Sequence, residues 1–424
     1  MSTTPKLFRV AALVTTTAVF AFGLTGTINA NPERDAPTHV AVIDAGSSGT
    51  RLKLFTSTGA KGLAPNLVFE SSPNSKSLTL FADNPALAGP DAIKPLLDQL
   101  DRYLESQSIE STSVPVGILA TAGLRNLRLT NATAVRQILD STRAATESAG
   151  YSVAENRILP ASMEASLAWL DANALAGTLK DKKQGLGVIE IGGASAQVAF
   201  RARTEKGRGI TSVKVDGMQL PVVAVSYLGL GSDLARTDMQ EASGTGAFCF
   251  PNNSTGSEPL QYETRTPIPI DASKASYLYP RCSKAFAKTI GTIGAKKTTS
   301  APLAPSDLRE IPGFSQTRFI GLGGIVFSFI DFGIPPSTSS LPALKTALTN
   351  NCEGPNAWVK VSALFDNEPG PFAQTLCSDG TYMSAFIFSK AGVGVSPTRF
   401  NGQPNFDGRS PSWVAGFATT VLHP

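Results

Sequence analysis

Residues Val40 to Phe55 read VAVIDAGSSGTRLKLF, and Leu186 to Phe200 read LGVIEIGGASAQVAF. Each begins as a β-branched apolar strand, reaches a carboxylate, turns through Gly, Ser and Ala, and resumes as a second strand of alternating apolar residues. Asp44 and Glu190 hold equivalent places in the two copies. Small residues let the backbone approach an anion closely. Consecutive N–H groups in such a turn form a concavity for phosphate oxygens, to which Ser and Thr hydroxyls add donors. A single turn of this kind is what many hairpins carry. Two, with matched carboxylates, point to a pair of loops that grips one polyphosphate from both sides. A phosphate site also needs a hard cation to offset charge, and Mg²⁺ or Ca²⁺ takes oxygen ligands, often through retained water. A turn-capping role would account for Asp44 alone but not for Glu190 in the same place.

Between the copies the pattern becomes helical. Ile93, Leu96, Leu97, Leu100 and Leu104 form one stripe after the first-turn Pro95, and Val135, Ile138 and Leu139 form a second behind a candidate N-cap, Asn131. Both stripes read as core faces. The segment VGILATAGLRNL, from Val116 to Leu127, reads as a short strand with a small-residue exit at Ala120-Thr121-Ala122-Gly123. Next, ASMEASLAWLDAN (Ala161 to Asn173) predicts a helix whose Met163, Leu167 and Leu170 face a core, with Glu164 in the first turn on another face. A first-turn Glu commonly sits at the surface and complements the helix dipole. Here it follows Pro160 at a strand-to-helix junction, where catalytic residues of α/β folds are found, and a carboxylate is the available general base for a water attacking phosphorus.

Composition narrows the chemistry. The 424 residues are 42% hydrophobic and 17% charged, with 38 Gly and 29 Pro, which is globular composition in a chain long enough for two cores. Two of the 37 Lys and Arg and none of the 33 Asp and Glu lie in the first thirty residues, so the remainder carries +2 and gives no footprint for nucleic acid or anionic lipid. The two histidines, His39 and His423, stand near the ends of the folded part, which excludes chemistry that needs an internal imidazole unless a terminus folds into the site. Cys249, Cys282, Cys352 and Cys377 form no CxxC pair, and an even count in the second half fits two disulfides of open connectivity. Residues 1–30 have the layout of a secretory signal: Lys6 and Arg9, an uncharged stretch from Val10 to Phe22, and Ile28 and Ala30 before Asn31. The stretch is too short to favour an anchor, so a soluble, secreted or periplasmic protein is expected. Sequons at Asn131, Asn252 and Asn253 matter only in a glycosylating source.

These segments, in this order, resemble the apyrase or ecto-nucleoside triphosphate diphosphohydrolase family, whose fold is actin-like, of two related lobes. The matches are DAGSSGTR (Asp44 to Arg51), ATAGLR (Ala120 to Arg125), the Glu164 segment with Trp169 and Asn173, IGGASAQ (Ile191 to Gln197), SYLGLG (Ser226 to Gly231) and SWVAGFA (Ser412 to Ala418). The resemblance implies an α/β, two-lobe (ribonuclease H-like) fold with the active site in the interlobe cleft. Residues 38–160, joined by about 401–424, would form lobe I, and 161–400 lobe II. Ser47, Ser48, Gly49 and Thr50 would be the first phosphate loop, and Gly193, Ala194 and Ser195 the second. Glu164 would be the general base, Thr121 and Gln197 would position the water, and Asp44 and Glu190 would hold Mg²⁺ or Ca²⁺ through its water shell.

The implied substrates are nucleoside tri- and diphosphates such as ATP and ADP, cleaved in line without a phosphoenzyme, with positioning and electrostatics supplying most of the rate. The resemblance also suggests Cys249–Cys282 and Cys352–Cys377 pairing. Glu190 stands where the family usually has Asp, Ala196 replaces a common Thr, and Leu167 replaces a common aromatic residue. GGIVFSFIDF (Gly323 to Phe332) looks like a divergent fifth region; so apolar a run reads as a buried strand, with Phe329 or Phe332 stacking on a nucleobase as the alternative. Three rival readings are an exopolyphosphatase or guanosine pentaphosphate phosphatase, a sugar kinase of the same superfold, and a nucleotide-binding protein without turnover. The Ser47-Ser48-Gly49 and Gly193-Ala194-Ser195 loops and the export signal weigh against the first, and Glu164 against the others.

Overall fold

The first copied segment folds into two antiparallel strands, β1 (His39–Ala45) and β2 (Thr50–Thr56), and the second into β6 (Leu186–Ile191) and β7 (Ser195–Arg201). The computed structural model describes residues 37–57, 62–72, 75–181, 185–244, 246–252, 275–295, 302–366 and 371–424. The signal-peptide reading of residues 1–30, the sequon at Asn253 and most of the loop around it lie outside the described residues.

Two sheets repeat one plan. The first adds β3 (Asn66–Glu70), β4 (Val116–Ala120) and β5 (Val153–Ile158), in the order β3-β2-β1-β4-β5. The second adds β8 (Ile210–Val215), β9 (Met218–Leu228), β10 (Arg318–Gly323) and β11 (Phe400–Asn401), in the order β11-β10-β6-β7-β9-β8. In both, an antiparallel hairpin is followed by a parallel neighbour, β4 beside β1 and β10 beside β6. Helices α1 (Lys94–Ser106), α2 (Ala122–Thr130), α3 (Ala132–Ser148) and α4 (Ala161–Leu175) come before β6. After β9 come α5 (Ser232–Ser243), α6 (Tyr279–Ala295), α7 (Gly324–Asp331), α8 (Leu341–Cys352), α9 (Ala357–Ala363), α10 (Pro371–Phe388) and α11 (Trp413–Leu422).

The alternation of strand side chains sorts the core into layers. On β1, Ala41 and Ile43 pack with Leu96, Leu97 and Leu100 of α1 and Ile138 of α3 on one face. Val40 and Val42 pack on the other face with residues of α4 and α11. On β6 and β7, Ile189, Val198 and Phe200 face α5, α6 and α10, whereas Val188 and Ala199 join the α4–α11 cluster. The two helices therefore lie between the sheets, and the central strands β1 and β6 need apolar residues on both faces, as they have over most of their length. Gly416 of α11 is what lets them meet: a Cβ there would stand 2.0 Å from the Leu167 carbonyl oxygen of α4.

Both helical stripes fold as read. Ile93, Leu96, Leu97, Leu100 and Leu104 are buried, and the Asn131 side chain accepts the Ala134 N–H at 3.0 Å, capping α3. Three readings are corrected. The strand predicted from Val116 to Leu127 stops at Ala120, and the chain enters α2 at Ala122, so Ala122 to Leu127 is helical. The run from Gly323 to Phe332 is not a strand: β10 ends at Gly323 and α7 begins at Gly324, where positive φ at Gly323 makes the turn. Phe329 and Phe332 point into the core, so neither offers a face to a nucleobase. Finally, α4 has no solvent face over most of its length, because sheet and α11 cover it from opposite sides. Glu164 is as buried as Leu167, while Met163 is only half-buried. The disulfides Cys249–Cys282 and Cys352–Cys377 form, with Cα–Cα distances of 5.1 and 5.8 Å.

Candidate active site

The two loops superpose in their offsets from the carboxylates. Two residues after Asp44, the Gly46 N–H donates to the Gly49 carbonyl at 3.0 Å; two residues after Glu190, the Gly192 N–H donates to the Ser195 carbonyl at 3.0 Å. The strand registers agree as well, Asp44 facing Arg51 and Glu190 facing Gln197. Each turn is thus a backbone-closed loop with a carboxylate at its entrance. Ser47 and Ser48 lie at the tip of the first, Ser48 exposed, while the Gly49 position is buried. Thr50 is fully buried at the start of β2, its hydroxyl donating to the Lys76 carbonyl at 2.7 Å and its N–H to the Ser75 carbonyl at 2.9 Å. In the second loop Ala194 and Ser195 are buried and Gly193 is half-buried.

Neighbouring elements hold each loop in place. Thr121, between β4 and α2, is buried and donates its N–H to the Ala45 carbonyl at 3.3 Å, and a Cβ on Gly123 would meet the Ser47 Cα at 3.2 Å. The start of α2 is therefore pressed against the first loop. The second loop is clasped by the segment that ends in Gly231. The Gly229 N–H donates to the Ala194 carbonyl at 2.9 Å, Ser232 to Gly192 at 2.9 Å and Asp233 to Gly193 at 3.1 Å. Backbone lies so close to backbone that a Cβ on Gly231 would fall 2.3 Å from Gly193 and Ala194 atoms.

Between the loops stand three carboxylates, Asp44, Glu164 and Glu190. Burial pushes Asp44 up to about 6 and Glu190 up to about 8, and the Glu164 charge adds to both rises. Glu190 Oε2 is buried without a hydrogen-bond partner. Burial also raises Glu164, against the pull of Arg125, whose guanidinium donates to Glu164 Oε2. A second arm of Arg125 reaches Ser226 Oγ of β9 at 3.4 Å, and Gln197 Nε2 donates to Ser226 Oγ at 3.1 Å and to Ser195 Oγ at 2.6 Å. One polar chain, Glu164–Arg125–Ser226–Gln197–Ser195, so joins α4 and α2 to the second loop.

The residues read from the sequence as catalytic, phosphate-binding or cation-holding fall on these two loops or beside them, whereas Phe329 and Phe332 lie in the core. Arg125 of ATAGLR and Ser226 of SYLGLG join the site without having been singled out by sequence pattern. A signal for Arg125 exists: a cation in the first turn of a helix opposes the dipole, which suggests a carboxylate partner elsewhere. Ser226 carries none, because its partners are 29 and 101 residues away in sequence. Asn173 proves structural, bonding Leu186 and Trp169 backbone atoms and so tying α4 to β6. Among the described residues no group of three or more His, Cys, Asp or Glu is close enough to hold a metal directly. The unpartnered Glu190 oxygen and the mutual repulsion of Asp44, Glu164 and Glu190 nonetheless suit a cation that keeps its water shell.

Fold and site together define a two-lobed, actin-like α/β protein with paired small-residue loops beside a carboxylate cluster. The sequence profile of the GDA1/CD39 (nucleoside phosphatase) family matches residues 31–413, and the chain belongs to that family. Among its relatives, ectonucleoside triphosphate diphosphohydrolase 5 of Gallus gallus is 32% identical over 46% of this chain and 47% of that protein. The guanosine-diphosphatase of Schizosaccharomyces pombe is 25% identical over 93% of this chain and 75% of its own. The chain spans about half the length of most of the relatives it matches. A solved nucleoside triphosphate hydrolase from Neospora caninum shares the fold, with a TM-score of 0.58 and 14% identity over 92% of this chain and 93% of that one.

Proposed function

We propose that this protein hydrolyses nucleoside tri- and diphosphates to the monophosphate and phosphate, and that it is exported. The observation that carries the reading is the pair of equivalent loops whose entrance carboxylates, Asp44 and Glu190, both lie near enough to Glu164 to feel its charge. The N–H groups from Ser47 to Gly49 and from Gly193 to Ser195 bind the phosphate oxygens, with Ser47, Ser48 and Ser195 hydroxyls beside them. Thr50 contributes as a buried anchor of the first loop. Asp44 and Glu190 would hold the divalent cation, Mg²⁺ or Ca²⁺, through its water shell. Bound there, it supplies positive charge against the phosphate oxygens.

Arg125 occupies Oε2 of Glu164, which leaves Oε1 to take a proton from water. Thr121 and Gln197 orient that water, whose oxygen attacks the terminal phosphorus as the bond to the bridging oxygen breaks. The departing nucleoside di- or monophosphate keeps the electron pair on its former bridging oxygen, the released phosphate carries the water oxygen, and no covalent enzyme intermediate forms. Burial raises the Glu164 carboxyl and makes it a stronger base, and the Arg125 guanidinium opposes that rise by favouring the ionised form. The lobes flanking the nucleotide are taken as 38–160 with about 401–424, and 161–400; the packing of α11 on β1 and β2 supports the return of the C-terminus to the first.

Two disulfides favour an oxidising compartment, secreted or periplasmic, and no described helix is long and apolar enough to cross a membrane. Phosphate release from ATP, ADP, AMP and polyphosphate, with Mg²⁺, Ca²⁺ or chelator, tests the reading. Metal-dependent release from ATP and ADP but not AMP is expected, with kcat reduced roughly a hundredfold or more in Glu164→Gln and KM moved only a few-fold. Release from polyphosphate alone, or nucleotide binding without release, would sink it.

A further inference from the structure

A cavity of about 280 Å³ opens between α2, the end of β5, the start of α4 and β9. None of the two loops' residues line it. Its polar lining is of one kind: Arg125, Arg128, Ser162 and Ser226, with no carboxylate among the lining residues. Arg125 is buried, and its Nε–H has no hydrogen-bond partner, an orphaned charged donor in a wall whose other two arms are spent on Glu164 and Ser226. Arg128 lies one turn along α2 and is exposed, and neither it nor Ser162 makes a side-chain hydrogen bond or ion pair among the described residues. The floor is the first turn of α4, a 15-residue helix entered through Pro160, with no side chain capping its free N–H groups at Ala161 and Ser162.

We infer that this pocket is a second oxyanion site, which takes inorganic phosphate beside Arg125 in a cavity that no residue of the two loops lines. A tetrahedral dianion there meets two guanidiniums, a serine hydroxyl and helix N–H groups, and meets no acid. That the anion is phosphate rests on the hydrolase reading, since that reaction makes it beside the pocket. An oxyanion on the free Nε–H of Arg125 shares the guanidinium charge with Glu164 and weakens that pair, so product phosphate inhibits without competing with nucleotide.

Binding of radiolabelled inorganic phosphate by equilibrium dialysis tests this, with the loops saturated by a non-hydrolysable ADP analogue and Mg²⁺. One phosphate per chain is expected, displaced by sulfate but not by acetate, weakened at least tenfold in Arg128→Glu and retained within a few-fold in Arg128→Lys. Ser162→Asp, which places an acid where a helix start tolerates one, is expected to abolish binding while leaving the melting temperature unchanged or higher. Phosphate binding that the analogue removes, or that the Arg128→Glu and Ser162→Asp changes leave intact, overturns the site. Because the readout is binding, a failure to hydrolyse nucleotides would strike the functional reading and leave this one standing.

Discussion

Arg125 is placed against the dipole of its own helix and largely out of water, a position that costs free energy unless a buried anion meets it. Glu164 is that anion, and each is the other's compensation. Removing the charge at 125 leaves Glu164 buried and unpaired, so its carboxyl should hold a proton to higher pH. Arg125→Gln is therefore expected to shift the acid limb of the kcat/KM–pH profile upward and to lower kcat by roughly tenfold or more, with Arg125→Lys intermediate. An unchanged acid limb would show that Arg125 only packs. From sequence, Glu164 could be singled out by its place after Pro160, whereas its burial could not, since α4 places acid and apolar residues alike against neighbours that arrive from elsewhere in the chain.

At the scale of elements, the second loop is shaped less by its own residues than by α5, whose first N–H groups point at Gly192 and Gly193 carbonyls. The closest approach is at Gly231, where φ is −76° and the backbone would accept any residue; the constraint is space alone. Gly231→Ala is expected to displace Gly193 and Ala194, raise KM for nucleotide at least tenfold and cost on the order of 1–3 kcal/mol in urea unfolding. Retained KM would mean that the loop yields without loss of binding. The strand pairs of both copies were readable because period-two alternation and small-residue turns are local signals. The change from β10 to α7 was not, since an unbroken apolar run suits a buried strand and a buried helix equally, and the positive φ at Gly323 is set by its packing on the Ile191 carbonyl.

Across the whole molecule, α4 and α11 join parts of the chain that are far apart, and Asp171 links them by accepting the Ser412 N–H at 2.9 Å. Its other oxygen, Oδ1, is buried without a partner, and burial pushes the carboxyl up to about 7. The unfolded chain releases this proton near pH 4 and the folded one near 7, so this contribution to stability is full below about pH 4 and lost as pH rises through about 7. Asp171→Asn keeps an acceptor for Ser412 and should flatten that slope, gaining more at pH 8 than at pH 5 in urea unfolding. A parallel pH dependence in both proteins would reject the assignment. The disulfides close separations of 33 and 25 residues, and reduction of either is expected to remove about 3 kcal/mol, read as a lower urea midpoint in reductant. The sequence by itself determined the duplicated strand–turn–strand units, the helix stripes and the carboxylates at the loop entrances, because each is a short-range pattern of apolar period and turn chemistry. Only the tertiary structure decided that Arg125 meets Glu164, that Ser226 bridges to Gln197 and that α4 is covered on opposite sides. Those contacts join residues brought together by the packing of two sheets around one helix pair, and no local spacing encodes them.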